Sequence, residues 1–178
     1  MISNHTYRVL LATVALSTCF FLKAVAAQNN APAHPEGPHM EFVYEETVSL
    51  GTTLHPGATP FGERNIVPIT GGTFTGPRLK GKILPGGWDW QLSANACFLI
   101  SANYMIQTDD GVIINVDNRG RVCSKPGAKP APIFTTPVFE APLGAYDWLN
   151  GGAYVGTIEG TAVDGKPAVH IRFFRASE

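Results

Sequence analysis

Three side chains stand out for what they could do to a bound molecule. Asp89 lies between Trp88 and Trp90 in the run Gly86-Gly87-Trp88-Asp89-Trp90-Gln91, a segment whose pattern predicts a strand. Its carboxylate faces either solvent or a partly apolar interior. Inside, desolvation disfavours the charged form and lifts the pKa, and an acid tuned toward neutrality passes protons in both directions. The competing account is an aspartate held by backbone or arginine hydrogen bonds at the glycine bend. Arg64 opens the run Arg64 to Ile69, where Ile66 and Pro68 share its strand face and set the guanidinium among apolar neighbours. Such an arginine needs an acidic partner. Asp89, a substrate oxyanion or a structural salt bridge across the fold could each supply it. Tyr104 shares a face with Ile100, Ala102 and Ile106, so its phenol is expected inside, where the hydroxyl must find a partner. It then serves as a hydrogen-bond donor to a carbonyl, as a general acid, or only as a core tyrosine. Trp88 and Trp148 are candidate pocket walls for a flat or apolar ligand, with core packing as the plainer reading.

Other chemistries lack their signatures. The glycines from Gly71 to Gly87 have neither dinucleotide-binding nor P-loop spacing, and no strand-to-helix step follows them. There is no C-x-x-C and no G-x-S-x-G, and nothing ties a serine to His170. His34 and His39 lie in a polar leader, His55 in a Pro-Gly loop and His170 in the last strand, so no pair has metal-ligand spacing. Asp109 and Asp110 precede Gly111 and read as turn formers. Neither a cofactor nor a metal is expected.

The elements that must position these residues are strands. Short apolar or alternating runs separated by turn residues fall at 41–50, 62–69, 73–84, 87–93, 97–108, 112–118, 132–140, 152–159 and 166–175. Asp109-Asp110-Gly111 and Asp164-Gly165 predict tight hairpins. Helical periodicity is nearly absent, apart from a short turn within 145–150. The predicted fold is all-β, a single closed or nearly closed antiparallel barrel of lipocalin-like general architecture, with a sandwich as the alternative. Closure removes the exposed edges of so many modest strands.

The N-terminus reads as an export signal: Arg8, an apolar run from Val9 to Leu22, then Ala24-Val25-Ala26-Ala27-Gln28. The run is too short and too broken for a membrane span, which needs roughly 20 apolar residues. Residues 1–27 are therefore assigned to a signal peptide, 28–40 to a polar leader and 41–178 to one barrel domain. The expected destination is the periplasm or the exterior, with lipidation at Cys19 less favoured. Losing Arg8 and Lys23, with no acid among residues 1–27, moves the formal charge from −1 to −3, which argues against nucleic acid as a partner. Arg78, Lys80 and Lys82 form a basic row that reads as a solvated strand face. Cys97 and Cys123 remain after processing, either as a disulfide or as separate thiols. A homo-oligomer is left open, with no sequence feature to support it.

The motifs Gly62-x-Arg64, Pro68-Ile69-Thr70-Gly71-Gly72-Thr73-Phe74-x-Gly76, Pro85-Gly86-Gly87-x-Asp89-Trp90-Gln91, Tyr104, Thr108-Asp109-Asp110-Gly111, Phe139-Glu140 and Trp148-Leu149-Asn150 resemble those of the domain of unknown function 3237 family, also known as UPF0311. The resemblance implies a compact barrel with a central pocket and, in a few members, acid–base ring closure on phenolic or polyketide-like molecules. An acidic residue and an arginine often precede the tyrosine in that family, at the positions of Ser101 and Asn103. These two join Trp88 and Trp148 as ligand-binding candidates. If the charged pair belongs to a site, its loss alters activity; if it faces outward, only the surface changes. The segment 121–132 reads as a longer loop than the family needs. The leading expectation is a small-molecule-binding barrel that performs proton transfer, with Asp89 as acid or base, Tyr104 as donor and Arg64 stabilising negative charge. A non-catalytic ligand-binding protein and a purely structural barrel are the alternatives.

Overall fold

The computed structural model describes residues 37–124, 127 and 132–178. The expected signal peptide and most of the leader lie outside the described residues. The strands are β1 (His39–Leu50), β2 (Leu54–Thr59), β3 (Gly62–Thr75), β4 (Lys80–Ile83), β5 (Gly87–Ala94), β6 (Cys97–Thr108), β7 (Ile113–Cys123), β8 (Ile133–Glu140), β9 (Tyr154–Val163) and β10 (Lys166–Ser177). Among the described residues the helical content is one 3₁₀ turn, Asp147–Leu149.

Antiparallel pairing runs β1–β10–β9–β8–β7–β6, then through β4 and β5 to β3, and returns from β3 to β1. The two short strands β4 and β5 share one place in the ring, each pairing β3 on one side and β6 on the other. The result is an eight-position barrel whose edges are almost wholly used, which is how an all-β chain avoids edge-to-edge association. One seam is short: residues 133–135 of β8 pair with 156–158 of β9 and the strands then part. Pro137, which has no N–H to give, occupies β8 beyond that point. The barrel is nearly, not strictly, closed.

Side-chain alternation decides what faces the lumen. On β6, Ile100, Ala102, Tyr104 and Ile106 are buried, while Asn103 and Met105 are exposed. On β7, Ile114, Val116 and Asn118 are buried. One end of the barrel is packed solid. Tyr44, Phe74, Phe139, Tyr154 and Phe173 meet there at ring-centroid separations of 4.8–6.0 Å, and Leu149 of the 3₁₀ turn joins the same core. Asn150 holds this turn by bonding both the N–H and the C=O of Ala141.

The two predicted hairpin turns join β6 to β7 and β9 to β10. Asp164 and Gly165 have φ of 50° and 74°, the left-handed pair a two-residue hairpin needs. Boundaries differ from the sequence reading in four places, the first being β9, which runs to Val163 rather than 159 and so leaves only Asp164-Gly165 in the turn where a slightly longer loop was expected. Residues 62–75 form one strand across Gly71-Gly72, because β1 pairs along 69–75, and the break comes instead at 76–79. Residues 54–59, expected as a loop carrying His55, run as an edge strand whose register shifts between Leu54 and Gly57, where Pro56 sits. β7 continues to Cys123 rather than ending near 118, so the expected long loop begins later. Cys97 and Cys123 are register partners on β6 and β7 and are joined by a disulfide.

Candidate functional site

A cavity of about 130 Å³ occupies the lumen beyond the aromatic plug. Its polar lining is Asp89, Gln91, Tyr104 and Asn118, set in a wall of aliphatic side chains. Asp89 reaches it because its register partners, Val67 and Ala102, are buried, which turns the flanking Trp88 and Trp90 outward. Ala102 lies between Asp89 and Asn118 in one cross-strand row, so the two polar groups are separated by a methyl. Leu50, Phe98, Ile133, Ile158 and Val169 line the cavity and are only partly buried, which marks the open end. Phe98 and Ile133 also line an outer depression of about 530 Å³ that includes Cys97. The mouth is thus the disulfide end of the barrel. A closed apolar cavity of about 150 Å³ admits a benzene ring, so the inner space is of single-ring size.

Tyr104 connects the cavity to a second, hidden acid. Its hydroxyl donates to Glu46 Oε1, and both residues are almost fully buried, at 2% and 1% exposure. Burial lifts the Glu46 carboxyl from its ordinary 4.5 to about 8, although the tyrosine bond pulls it down. Burial and the neighbouring Glu46 charge hold the Tyr104 phenol well above its ordinary value. The Asp89 carboxyl is also raised by burial, against the opposing pull of Gln91 Nε2 at 2.7 Å and Ser101 N–H at 3.2 Å. The lumen therefore presents one partly screened acid in contact with the cavity and one desolvated acid behind a phenol. Near neutral pH the second is largely protonated, while the two hydrogen bonds to the first favour its charged form against burial.

Several buried polar atoms have no hydrogen-bond partner among the described residues. They are Tyr44 Oη, Glu46 Oε2, Thr135 Oγ1 and both amide atoms of Asn118. Such groups are rare in folded proteins and call for water or a ligand. No group of acidic, histidine or cysteine side chains among the described residues could hold a metal ion.

Of the sequence-derived candidates, Asp89 and Tyr104 line the cavity and the rest do not. Arg64 stands on the outer face opposite Leu92, with Nη1 donating to the Gln91 carbonyl at 3.4 Å. Its apolar neighbours mislead because Ile66 and Pro68 pair with Trp90 and Trp88 on that outer face. Trp88 is 40% exposed there. Trp148 packs against the plugged end, where the Arg78 guanidinium stacks on its ring at 3.8 Å. Ser101 and Asn103 point outward because they alternate with Ala102 and Tyr104, and Ser101 meets the site only through its main-chain N–H. The departure from the family pattern at these two positions is therefore a change of outer surface.

The sequence reading passed over Glu46, Gln91 and Asn118. Each left a signal: an ionisable or amide side chain at an inward position of an alternating strand, as in Tyr44-x-Glu46-x-Val48 and Ile114-x-Val116-x-Asn118.

The chain is similar to known proteins in sequence and in fold. A UPF0311 protein of Rhodopseudomonas palustris is 31% identical over 131 residues, covering 66% of this chain and 85% of its own length. A hydroalkoxylation enzyme of Penicillium herquei is 25% identical over 125 residues, covering 70% of this chain and 77% of that protein. The solved structure of a β-barrel-like protein from Acinetobacter baumannii superposes with a TM-score of 0.68 at 27% identity, over 82% of this chain and 99% of that one. The model of the family described as protein of unknown function, DUF3237, matches residues 38–176, and the chain belongs to that family.

Proposed function

We propose that the lumen binds a small, largely apolar molecule bearing a hydroxyl group and a carbon–carbon double bond and adds the O–H across that bond. The observation that carries this reading is the Glu46–Tyr104 pair, a buried acid held to about 8 and linked through a phenol to a ring-sized cavity that also holds Asp89. In the addition the hydroxyl proton passes to Asp89, the oxygen bonds to one alkene carbon, and the other carbon takes a proton from Tyr104. For this step Glu46 carries its proton on Oε1 and the bond to Tyr104 runs in the reverse sense, so that the phenol proton turns toward the alkene and Glu46 replenishes it in the same motion. Asp89 and Glu46 then reset by exchange with water through the mouth at Phe98 and Ile133. General acid and base groups placed this way contribute about 10²–10⁴-fold each. The relative named as a hydroalkoxylation enzyme supports this reaction class. The activity belongs outside the cytoplasm on this reading, supported by the Cys97–Cys123 bond, since such bonds persist in oxidising compartments.

The test is a thermal-shift screen of wild type, Asp89→Asn and Tyr104→Phe against phenols with and without a pendant alkene, followed by product analysis of the compounds that bind. Conversion by the wild type, with binding but no conversion by Asp89→Asn, is the expected result. Binding without conversion by the wild type would make the protein a carrier. No shift with any compound would remove the lumen as a binding site.

A further inference from the structure

The outer face of β6, β7 and β8 carries an apolar surface that the lumen chemistry does not explain. Met105, Ile113, Phe134 and Val138 all point outward there and are 46–66% exposed. These four side chains are spread over a face that also holds Asn103, Asn115, Asp117, Arg119, Thr136 and Glu140, so the face is a mixed apolar and charged one, and Met, Phe and Arg are enriched in protein interfaces.

The charges on the same strip are sorted by end. Arg119 and Arg121 lie toward the mouth, and Asp117 and Glu140 lie toward the plugged end. Cross-strand pairing aligns Ser101–Arg119–Thr136 in one row, Asn103–Asp117–Val138 in the next and Met105–Asn115–Glu140 in the one after. Lys80 and Lys82 stand on β4, beside this strip and outside it.

We infer that this face is a homodimer interface. A two-fold axis relating two such faces lies in the plane of contact. When it runs across the strands, between the Arg119 row and the Asp117 row, it lays the basic half of one copy on the acidic half of the other. Arg119 then meets Asp117 of the partner subunit, in exchange for the bond it makes to its own Asp117 at 2.7 Å. Arg121 reaches the corner held by Asn115 and Glu140 of the partner subunit, and Leu99 covers Met105 of the partner subunit. A second copy matches the sorted charges about the axis and pairs Leu99 with Met105 at each flank, and both lumen mouths stay open at the rim.

Sedimentation velocity on the full chain tests this, up to about 100 μM so as to include weak interfaces. The wild type should sediment at twice the 19.1 kDa chain mass. Arg119→Glu with Arg121→Glu, and separately Asp117→Lys with Glu140→Lys, should each raise the dimer dissociation constant by at least about tenfold, since like charges then meet across the axis. An equimolar mixture of the two variants should recover the dimer, because each reversed half now faces its opposite. Recovery also shows that both variants are folded. Val138→Arg should dissociate the dimer with its circular dichroism unchanged. A monomeric wild type, variants that remain fully dimeric, or folded variants whose mixture stays monomeric would each overturn the inference.

Discussion

Replacing Glu46 by Gln should make the protein progressively more stable than the wild type as pH rises. The folded-state carboxyl titrates at about 8 against an ordinary value of 4.5, so between those values the folded wild type holds a proton that the unfolded chain has released. Stability then falls with rising pH, because its slope has the sign of unfolded minus folded bound protons. The contribution is fully present below 4.5 and lost by about 8. At about 1.4 kcal/mol per pH unit the whole loss is about 5 kcal/mol, an upper bound if water enters the ionised site. It is large beside a typical domain stability of about 5–15 kcal/mol. Gln keeps an acceptor for the Tyr104 hydroxyl and cannot ionise. All other titrating groups are shared, so the stability difference between the two proteins isolates Glu46. Urea unfolding from pH 5 to 9 should show the variant gaining by roughly 1 kcal/mol per pH unit up to pH 8 and levelling above it. A difference that stays flat would mean that Glu46 titrates normally. A gap that moves in the opposite direction would mean that the carboxylate is charged and well paired, and the proton-donor role would fall with it.

Four further outcomes follow from the same geometry. Tyr104→Phe removes the bond that lowers the Glu46 pKa, so the carboxyl should titrate higher still, read from its carbon-13 shift across pH. Gly87→Ala would place a methyl carbon 2.5 Å from the Tyr104 Cβ; it should destabilise by about 2 kcal/mol or more through overpacking and flatten the pH dependence assigned to Glu46. Asp89→Asn should change stability by about 1 kcal/mol or less, while any turnover falls by about 10²–10⁴-fold. Reducing the Cys97–Cys123 bond, which spans 26 residues, should cost up to about 3.5 kcal/mol in the chain-entropy model, seen as a lower Tm in reductant.

The alternating strands were readable because one buried face imposes a period of two. Ile100, Ala102, Tyr104 and Ile106 gave the inward face of β6 correctly for that reason. The same rule failed at Arg64, where apolar residues lie on both faces of β3, and at β2, where Pro56 disguises an edge strand. Glu46 escaped notice because Glu45-Glu46 reads as a surface pair, although the alternation of β1 requires one of the two to point inward. Tyr104 was legible as buried, but its partner was not: Glu46 is 58 residues away in sequence, and only closure of the ring brings β1 within reach of β6.

The placement of the unpartnered polar atoms separates a functional lumen from a merely imperfect core. Leaving a buried polar group unpaired costs about 1–3 kcal/mol, and the described residues include several such atoms. A purely structural barrel would fill these positions with aliphatic groups, as it does at Ile106, Ile114 and Val116 on the same strands. Asn118 instead puts both ends of an amide beside the cavity, in the same cross-strand row as Asp89 with Ala102 between them. Replacing it by Leu should therefore stabilise the free protein or leave it unchanged, while weakening ligand binding by about tenfold for each hydrogen bond lost, at about 1.4 kcal/mol apiece. Thermal unfolding with and without a bound phenol measures both effects. A large loss of stability in the free Asn118→Leu protein would show that the amide is paired within the fold, and the case for a ligand-reading lumen would then rest on Asp89 and the Glu46–Tyr104 pair alone.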